Sequence, residues 1–381
     1  MIFDVCRDGV SSRLFQGQRE IDAAYLKMPV CDLEKVVRKF RRAFEISTYS
    51  YFPALLASFD ADLANRLGQK FLGKLISRIP CNSHVVIVPD GCLSVLPFEA
   101  LLVAGAPDAK GETPSFGVVT LKGLTYLGDR YRISYAESLN AYLLAEQSPN
   151  QTRGGDRMLV VADPVYGGRR DDPRLRQAAE TRTLVSFRRL PLTGEFAKYL
   201  TELFPGKVES RVGFEATKNY LVTADYSKYG TVVVAGYLER RVYADSDGPK
   251  PYCDEPGTVL SLFPRGINGR LRASEIDGLR IPVDLVFVLG CQPPTDPMMP
   301  IENEVMPIGW AFRHAGAKSV VVPHWTIFEE PSTELARHFF NALKQGMTKT
   351  EALRHARRQI REHGYDHPYY WASYILLGQV R

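Results

Sequence analysis

Residues 281–294 read IPVDLVFVLGCQPP, and the rest of the chain is interpreted outward from this stretch. Val283 and residues 285–289 form a short apolar run that is rich in β-branched side chains, bounded by Pro282 and Gly290. Such a run is typical of a parallel strand that is covered on both faces. Cys291 follows where the strand ends, and in open α/β sheets the carboxyl ends of the strands carry the chemistry. Cys291 is therefore a candidate nucleophile, although a small cysteine that only closes the top of a sheet is the simpler interpretation.

Similar apolar runs recur along the chain, and segments with a helical period separate them. Further strands are predicted at residues 83–89, 128–134, 158–163, 231–235, 319–323 and 374–377. Helices are predicted where apolar residues recur every three or four positions, at residues 32–44, 55–76, 195–204, 215–221, 333–345 and 349–363. This alternation of strands with helices predicts an α/β fold with a mainly parallel sheet.

Composition and charge exclude several classes of protein. The chain has 381 residues, of which 45% are apolar, so it can bury a core for two domains or for one large two-part domain. Its net charge is +5, but the basic residues lie in helical segments such as 38–42 and 354–361, which predict solvated helix faces rather than a nucleic-acid surface. The sequence contains no run of about 18 apolar residues and no secretory leader pattern. We therefore expect a cytoplasmic protein that binds neither nucleic acid nor membrane.

The cysteines argue against a metal site. They are scattered, form no CxxC pair and have no histidine at metal-ligand spacing, which is typical of a reducing compartment. No Walker-type loop, GxGxxG, GxSxG or HExxH motif occurs. We expect neither a metal nor another cofactor. The six cysteines are Cys6, Cys31, Cys81, Cys92, Cys253 and Cys291.

Six segments occur in a fixed order along the chain. They are VPDGCLSVLPFEAL (88–101), YAESLNAYLLAE (135–146), EATKNYL (215–221), the cysteine strand, AFRHAGAKSVVVPHW (311–325) and HPYYWASYILLG (367–378). Together they resemble the CHAT domain, a caspase-like, separase-related cysteine peptidase domain of bacteria. The resemblance implies a three-layer caspase-like α/β fold with mainly parallel sheets, in two caspase-like halves. It also implies a catalytic half with strand order 2-1-3-4-5-6, in which histidine follows the third strand and cysteine the fourth.

The resemblance also suggests a division of the chain. Residues 1–30 show no strong period and are interpreted as a lead-in segment. Residues 31–185 are then the degenerate N-terminal half, and residues 186–381 the catalytic-type C-terminal half. The segment YGGRRDDPRLR (166–176) is rich in glycine, proline and charge, and it is interpreted as the surface connection between the halves.

The cysteine of the family carries over to this chain, and the histidine does not. Where the family has a tetrapeptide like LSAC, residues 288–291 read VLGC, ending at Cys291. Where the family reads HFATHG or similar, residues 233–238 read VVAGYL, which places Tyr237 at the histidine position. The histidines of the chain all lie outside this window. They are His84, His314, His324, His338, His355, His363 and His367.

This replacement matters because of acid–base chemistry. A free thiol with a pKa of about 8.5 is only a few per cent thiolate at neutral pH, and a paired imidazolium lowers that pKa and protonates the leaving amine. A tyrosine with a pKa of about 10 does neither efficiently. Loss of the general acid and base is expected to cost several powers of ten in peptide cleavage.

Two hypotheses follow for the function. The first is a pseudopeptidase that acts as a regulator, scaffold or binding partner in bacterial defence or signalling, with a protein or peptide partner. The second is an active cysteine endopeptidase with Cys291 as nucleophile, an oxyanion-binding amide in the region of Gly290, and a relocated base. The candidate base is His324, which ends the predicted strand SVVVPHW beside the cysteine strand. A histidine that only caps the sheet edge is the simpler interpretation. The oligomeric state is left open.

Three acidic residues are weaker candidates for substrate binding. Glu329 stands where the family tends to have an aspartate after the tryptophan strand, and a surface acid is its simpler interpretation. Asp245 and Asp247 lie in the long polar segment 240–255, where they could bind a basic side chain or only be solvated.

Overall fold

The computed structural model describes residues 1–44, 59–103, 121, 123–147, 154–166, 189–239, 255–262, 268–291, 306–325 and 327–380. The strands in these ranges are β1 (Ile2–Cys6), β2 (Gly9–Gln16), β3 (Arg19–Lys27), β4 (His84–Ile87), β5 (Arg132–Tyr135), β6 (Arg157–Ala162), β7 (Val208–Val212), β8 (Tyr229–Glu239), β9 (Gly257–Val259), β10 (Arg270–Arg272), β11 (Leu285–Cys291), β12 (Ser319–Pro323) and β13 (Tyr374–Gly378). The helices are α1 (Val30–Arg41), α2 (Ala61–Ile76), α3 (Leu127–Arg130), α4 (Leu139–Gln147), α5 (Pro191–Leu203), α6 (Lys218–Thr223), α7 (Ala273–Asp277), α8 (Met306–His314), α9 (Glu329–Lys344), α10 (Lys349–Glu362) and α11 (Pro368–Trp371).

The chain forms two compact units. Unit 1 contains residues 1–148 and 345–381, and unit 2 contains residues 149–344. The division into two caspase-like halves near residue 185 stays a prediction.

Unit 1 begins with an antiparallel sheet in the order β1-β2-β3. The sequence interpretation of residues 1–30 did not foresee regular structure there. The reason lies in β3, which carries the large apolar side chains of Ile21 and Tyr25 on its exposed face. Their exposure blurs the contrast between the two faces of a strand, and that contrast is what a sequence period reports.

The rest of unit 1 contains the parallel strands β4, β5 and β13, with β5 between the other two. The predicted strand over residues 128–134 is only half correct, because its first part is the short helix α3 and β5 begins at Arg132. Gly128 lies in this helix against Glu99, where a Cβ atom would come within 3.1 Å of the Glu99 Cβ. Close packing of helix α3 against the segment around Glu99 therefore replaces the extended backbone that the sequence suggested.

A charged group lies in the core of unit 1. Glu99 is fully buried, and its carboxylate accepts hydrogen bonds from Arg357 Nη2 at 3.0 Å and from Tyr135 Oη at 2.6 Å. Arg357, which α10 contributes, also donates to the Tyr374 carbonyl oxygen at 2.5 Å. The ion pair thus joins α10 to β5 and β13, and burial raises the pKa of the Tyr135 phenol well above its usual value.

Unit 2 contains a parallel sheet in the order β7-β6-β8-β11-β12. Numbered along the chain from β6, without the antiparallel strands β9 and β10, these strands have the order 2-1-3-4-5, which is the order implied for the first five of the six strands of the catalytic half. Residues 232–235 of β8 and 285–289 of β11 are all buried, so both faces of the central strands are covered. The end of β8 pairs with β9, which is antiparallel to it and to β10. The prediction of an α/β fold with a mainly parallel sheet is confirmed.

Helices α5 and α9 pack together on one side of this sheet. Phe196 of α5 and Phe340 of α9 have ring centroids 5.9 Å apart, and Phe287 of β11 lies 5.4 Å from Phe340. The first turn of α5 adjoins Asp163, which directly follows the last residue of β6. The amino ends of these helices therefore lie at the carboxyl edge of the sheet, where the candidate residues were predicted.

Candidate active site

Cys291 and Tyr237 occupy equivalent positions on neighbouring strands. The register of β8 and β11 runs without interruption from Leu285 opposite Thr231 to Cys291 opposite Tyr237. Cys291 is the last residue of β11, and Tyr237 lies near the end of β8. Because adjacent strands lie about 4.8 Å apart, the backbones of the two residues face each other at the carboxyl edge. The catalytic roles assigned to Cys291, Tyr237 and the Gly290 amide stay predictions.

Gly290 leaves room for a large neighbour. A Cβ atom at this position would overlap the side chain of Leu238 and come within 2.9 Å of Pro323 Cγ. Leu238 is fully buried, so it cannot swing out into solvent to make space. The absence of a side chain at Gly290 is therefore a packing requirement of this sheet.

The two departures from the family pattern that the resemblance implies at this edge fit each other. In the family tetrapeptide LSAC an alanine precedes the cysteine, and in HFATHG a glycine follows the histidine. This chain has Gly290 at the first of these positions and Leu238 at the second. The large side chain that accompanies Tyr237 occupies the space that the smaller residue before Cys291 vacates. Leu238 and Gly290 are thus adapted to each other as a packed pair.

Gly290→Ala is expected to destabilise the protein by about 1–3 kcal/mol, because the added methyl group meets a packed leucine. The double variant with Leu238→Ala should lose less than the sum of the single variants, with a coupling energy of about 0.5–3 kcal/mol. Urea unfolding measures both quantities. Gly278→Ala is the control, since a Cβ there has only ordinary contacts at 3.7 Å. If the losses of stability in Gly290→Ala and Leu238→Ala add up to that of the double variant within error, the two residues do not pack as a fitted pair.

Tyr166 fixes the backbone of Tyr237. Its hydroxyl donates to the Val259 carbonyl oxygen at 2.9 Å and accepts from the Tyr237 amide at 3.3 Å. The two tyrosine rings lie 5.1 Å apart at an angle of 52°. Tyr166 is buried, so its assignment to a surface connection is wrong, while residues 167–176 lie outside the described residues. The hydroxyl joins β9 to β8 at the point where β8 changes its neighbour from β6 to β9.

His324 directly follows β12, as predicted, and is almost completely buried at 1% exposure. Its ring stacks on that of Trp325, with centroids 6.0 Å apart. Pro323 before it lies beside Gly290 of the cysteine strand. His324 is thus at the same edge of the sheet as Cys291, and its role as a base stays a prediction.

Glu329 is not the freely solvated surface acid that the simpler interpretation expected. Its carboxylate is half-buried and accepts a hydrogen bond from the Thr193 amide at 3.1 Å, in the first turn of α5. Burial raises the pKa of Glu329 to about 7, and the nearby carboxylates of Asp163 and Glu195 add to this effect. Its role in substrate binding stays a prediction.

This pKa leads to an expected pH dependence. A carboxyl group whose pKa is about 7 when folded and about 4.5 when unfolded stabilises the protein fully below pH 4.5. That contribution decreases as the pH rises to about 7. Glu329→Gln should therefore remove part of the loss of stability between pH 5 and pH 8, as measured by thermal unfolding at both pH values. The control Glu330→Gln changes an exposed neighbour. If Glu329→Gln and Glu330→Gln have the same pH slope, the assigned titration is wrong.

Asp163 is a candidate residue that the sequence analysis missed. It is buried, directly follows β6, and has a φ of +48°, which is uncommon for a residue other than glycine and is often found near functional sites. Its carboxylate binds the guanidinium of Arg189, with Nε 3.0 Å from Oδ1. Burial raises the pKa of Asp163, and Arg189 opposes this effect. This carboxylate can bind a basic group. Asp245 and Asp247, predicted for that purpose, lie outside the described residues.

Within the described ranges, no group of three or more histidine, cysteine, aspartate or glutamate side chains could hold a metal ion. Nor does that part of the chain contain a helix that is long and apolar enough to cross a membrane.

The described structure is a mainly parallel α/β sheet with Cys291 at the carboxyl end of a central strand. The chain belongs to the CHAT domain family, because the model of that family matches residues 61–379.

Individual proteins are similar over parts of their length. Tetratricopeptide repeat protein 28 of Homo sapiens is 29% identical over 109 residues, which are 28% of this chain and 4% of that protein. The Saccharomyces cerevisiae separase–securin complex is similar in structure, with 13% identity, a TM-score of 0.43, and coverage of 84% of this chain and 17% of that one. The Arg-specific cysteine proteinase gingipain R has 9% identity, a TM-score of 0.48, and coverage of 92% and 74%.

Proposed function

We propose that this CHAT-family protein acts by binding another protein or a peptide, and that its cysteine peptidase activity is impaired. The observation that carries this proposal is the residue opposite Cys291 in the strand register, which is Tyr237. A neutral phenol with a pKa of about 10 neither lowers the pKa of a thiol nor protonates a leaving amine at neutral pH.

The packing at the strand ends supports this proposal. Leu238 fills the space beside Gly290, and Tyr166 holds the backbone amide of Tyr237. A single change from histidine to tyrosine would leave the surrounding residues as the family has them. Here the neighbours differ in a matching way, as expected if catalysis is no longer the function that maintains the site. We place the protein in the cytoplasm, in bacterial defence or signalling, as a pseudopeptidase, scaffold or regulator.

The alternative is an active cysteine endopeptidase in which His324 serves as the base. The observation that favours it is the buried position of His324 directly after β12, beside the cysteine strand. An imidazole at the same edge of the sheet could reach a thiol on the neighbouring strand directly or through one water molecule.

Peptide cleavage by four proteins separates the two functions. The native protein, Cys291→Ala, His324→Ala and Tyr237→Phe are incubated with a mixed peptide library, and new amino termini are identified by mass spectrometry. The proposed function predicts no cleavage that depends on Cys291. Cleavage that is lost in both Cys291→Ala and His324→Ala, and kept in Tyr237→Phe, would instead establish the relocated base.

A further inference from the structure

Three arginines of unit 1, from two separate parts of the chain, form a cluster on the surface. The arginine cluster consists of Arg132 at the start of β5 and of Arg354 and Arg358 on α10. Asn82, whose φ is +63°, lies among them. Its carbonyl oxygen accepts from Arg132 Nε at 3.0 Å, and its Oδ1 accepts from Arg354 Nη1 at 2.9 Å.

The carboxylates bound to the arginine cluster are fewer than its guanidinium groups. Within the described part of the chain, Arg132 binds Glu351 at 2.7 Å, and Arg358 lies 4.0 Å from Asp129. Asp129 is in turn bound closely by Arg361 at 2.7 Å, so its charge is shared. The cluster therefore has an excess of positive charge that these two carboxylates do not neutralise.

The hydrogen bond of Arg354 does not compensate its charge, because it joins the half-buried guanidinium to the neutral side-chain amide of Asn82. Burial lowers the pKa of Arg354, and the positive charges of Arg358 and Arg132 lower it further. The carboxylates of Glu351 and Asp129 oppose this effect only in part. Grouped like charges of this kind are unfavourable in the free protein and favourable once an anion binds.

The geometry selects among anions. Arg354 and Arg358 are four residues apart on one helix, so their side chains lie one turn from each other. Arg132 extends the charge onto the neighbouring strand β5. Guanidinium groups bind carboxylates through two parallel hydrogen bonds, and a row of several such groups fits several carboxylates better than one small ion.

We propose that the arginine cluster is a docking surface for an acidic, Asp/Glu-rich segment of a partner polypeptide. The surface involves neither Cys291 nor Tyr237, so it goes beyond the proposed function and can be tested separately from it.

The test uses fluorescein-labelled hexaglutamate and measures its binding to the full chain by fluorescence anisotropy at low salt. Arg354→Ala/Arg358→Ala should weaken binding about tenfold, because two charge-assisted contacts are lost. Lys35→Ala/Lys39→Ala is the matched control. It removes two positive charges at the same spacing on α1, where each lysine already has a carboxylate partner, Asp32 or Asp60. If this control binds hexaglutamate with the affinity of the native protein, the result supports binding at the arginine cluster specifically.

Three outcomes would overturn the proposal. One is binding by Arg354→Ala/Arg358→Ala within twofold of the native protein. Another is equal weakening in the lysine control, which would indicate attraction by net charge alone. The third is displacement of hexaglutamate by inorganic phosphate at the same concentration of charge, which would indicate a site for a single small anion. If the alanine variant folds poorly, Arg354→Lys/Arg358→Lys replaces it. This variant keeps the positive charge but loses the paired hydrogen bonds of the guanidinium group, so its affinity for hexaglutamate should be intermediate.

Discussion

Tyr237→His is expected to raise the rate at which Cys291 is alkylated at pH 6 by about tenfold. An ordinary thiol with a pKa of about 8.5 is less than one per cent thiolate at this pH. A paired imidazolium would lower the thiol pKa to about 6, so that about half of the thiol would be thiolate. The lower pKa also makes the thiolate less nucleophilic, by about tenfold over this range, which reduces the gain to about tenfold. The register places the new imidazole opposite Cys291.

The measurement is iodoacetamide labelling followed by mass spectrometry of each cysteine peptide. Cys31 and Cys81 are exposed and serve as references within the same molecule, so the quantity compared is the ratio of Cys291 labelling to theirs. Tyr237→Phe is the matched control, because it removes the hydroxyl and adds no base. Equal ratios in the native protein and in Tyr237→His would mean that position 237 does not reach the thiol.

Glu99→Gln is expected to destabilise unit 1 by about 3–5 kcal/mol, the largest loss of stability among these predictions, because it leaves Arg357 as a buried charge without its partner. Both side chains of this pair are almost completely buried, at 0% and 4% exposure. The double variant Glu99→Leu/Arg357→Met should recover much of the loss, since an apolar pair avoids the desolvation of two charges.

Urea unfolding at pH 7 measures the free energy of unfolding of these variants. Asp4→Asn is the control, because it breaks the ion pair with Arg13 whose side chains are 40% and 45% exposed. That loss should be about 1 kcal/mol or less. If Glu99→Gln costs no more than Asp4→Asn, the buried pair does not hold α10 to its neighbouring strands.

The sequence predicts the central strands well because their signal is local. The bounds predicted for β12 at residues 319–323 agree with the structure, and β11 ends at Cys291 as expected. Strands that are buried on both faces are short apolar runs between turn residues, and this pattern does not depend on distant parts of the chain. The placement of Cys291 and Tyr237 on neighbouring strands needed the family resemblance in addition, because strand order is not a local property.

The residues that the sequence analysis missed owe their positions to distant contacts. Tyr166 stands in a glycine-rich segment that is typical of a surface loop, but its hydroxyl binds Val259, 93 residues away. Asp163 is held by Arg189 and by the first turn of α5. The only local signal for Asp163 is an Asp-Pro pair after a strand, which indicates a turn and gives no indication of a buried carboxylate.

The proposed function requires that no partner activates the thiol of Cys291, and titration of this thiol in the native protein tests that requirement. The rate of iodoacetamide labelling at Cys291 is measured from pH 5 to pH 10, with Cys31 and Cys81 as references. The proposed function predicts a midpoint near the ordinary thiol pKa of about 8.5 and slow labelling at pH 6. A midpoint below about 7, with rapid labelling at pH 6, would show that another group activates the thiol and would refute the proposed function.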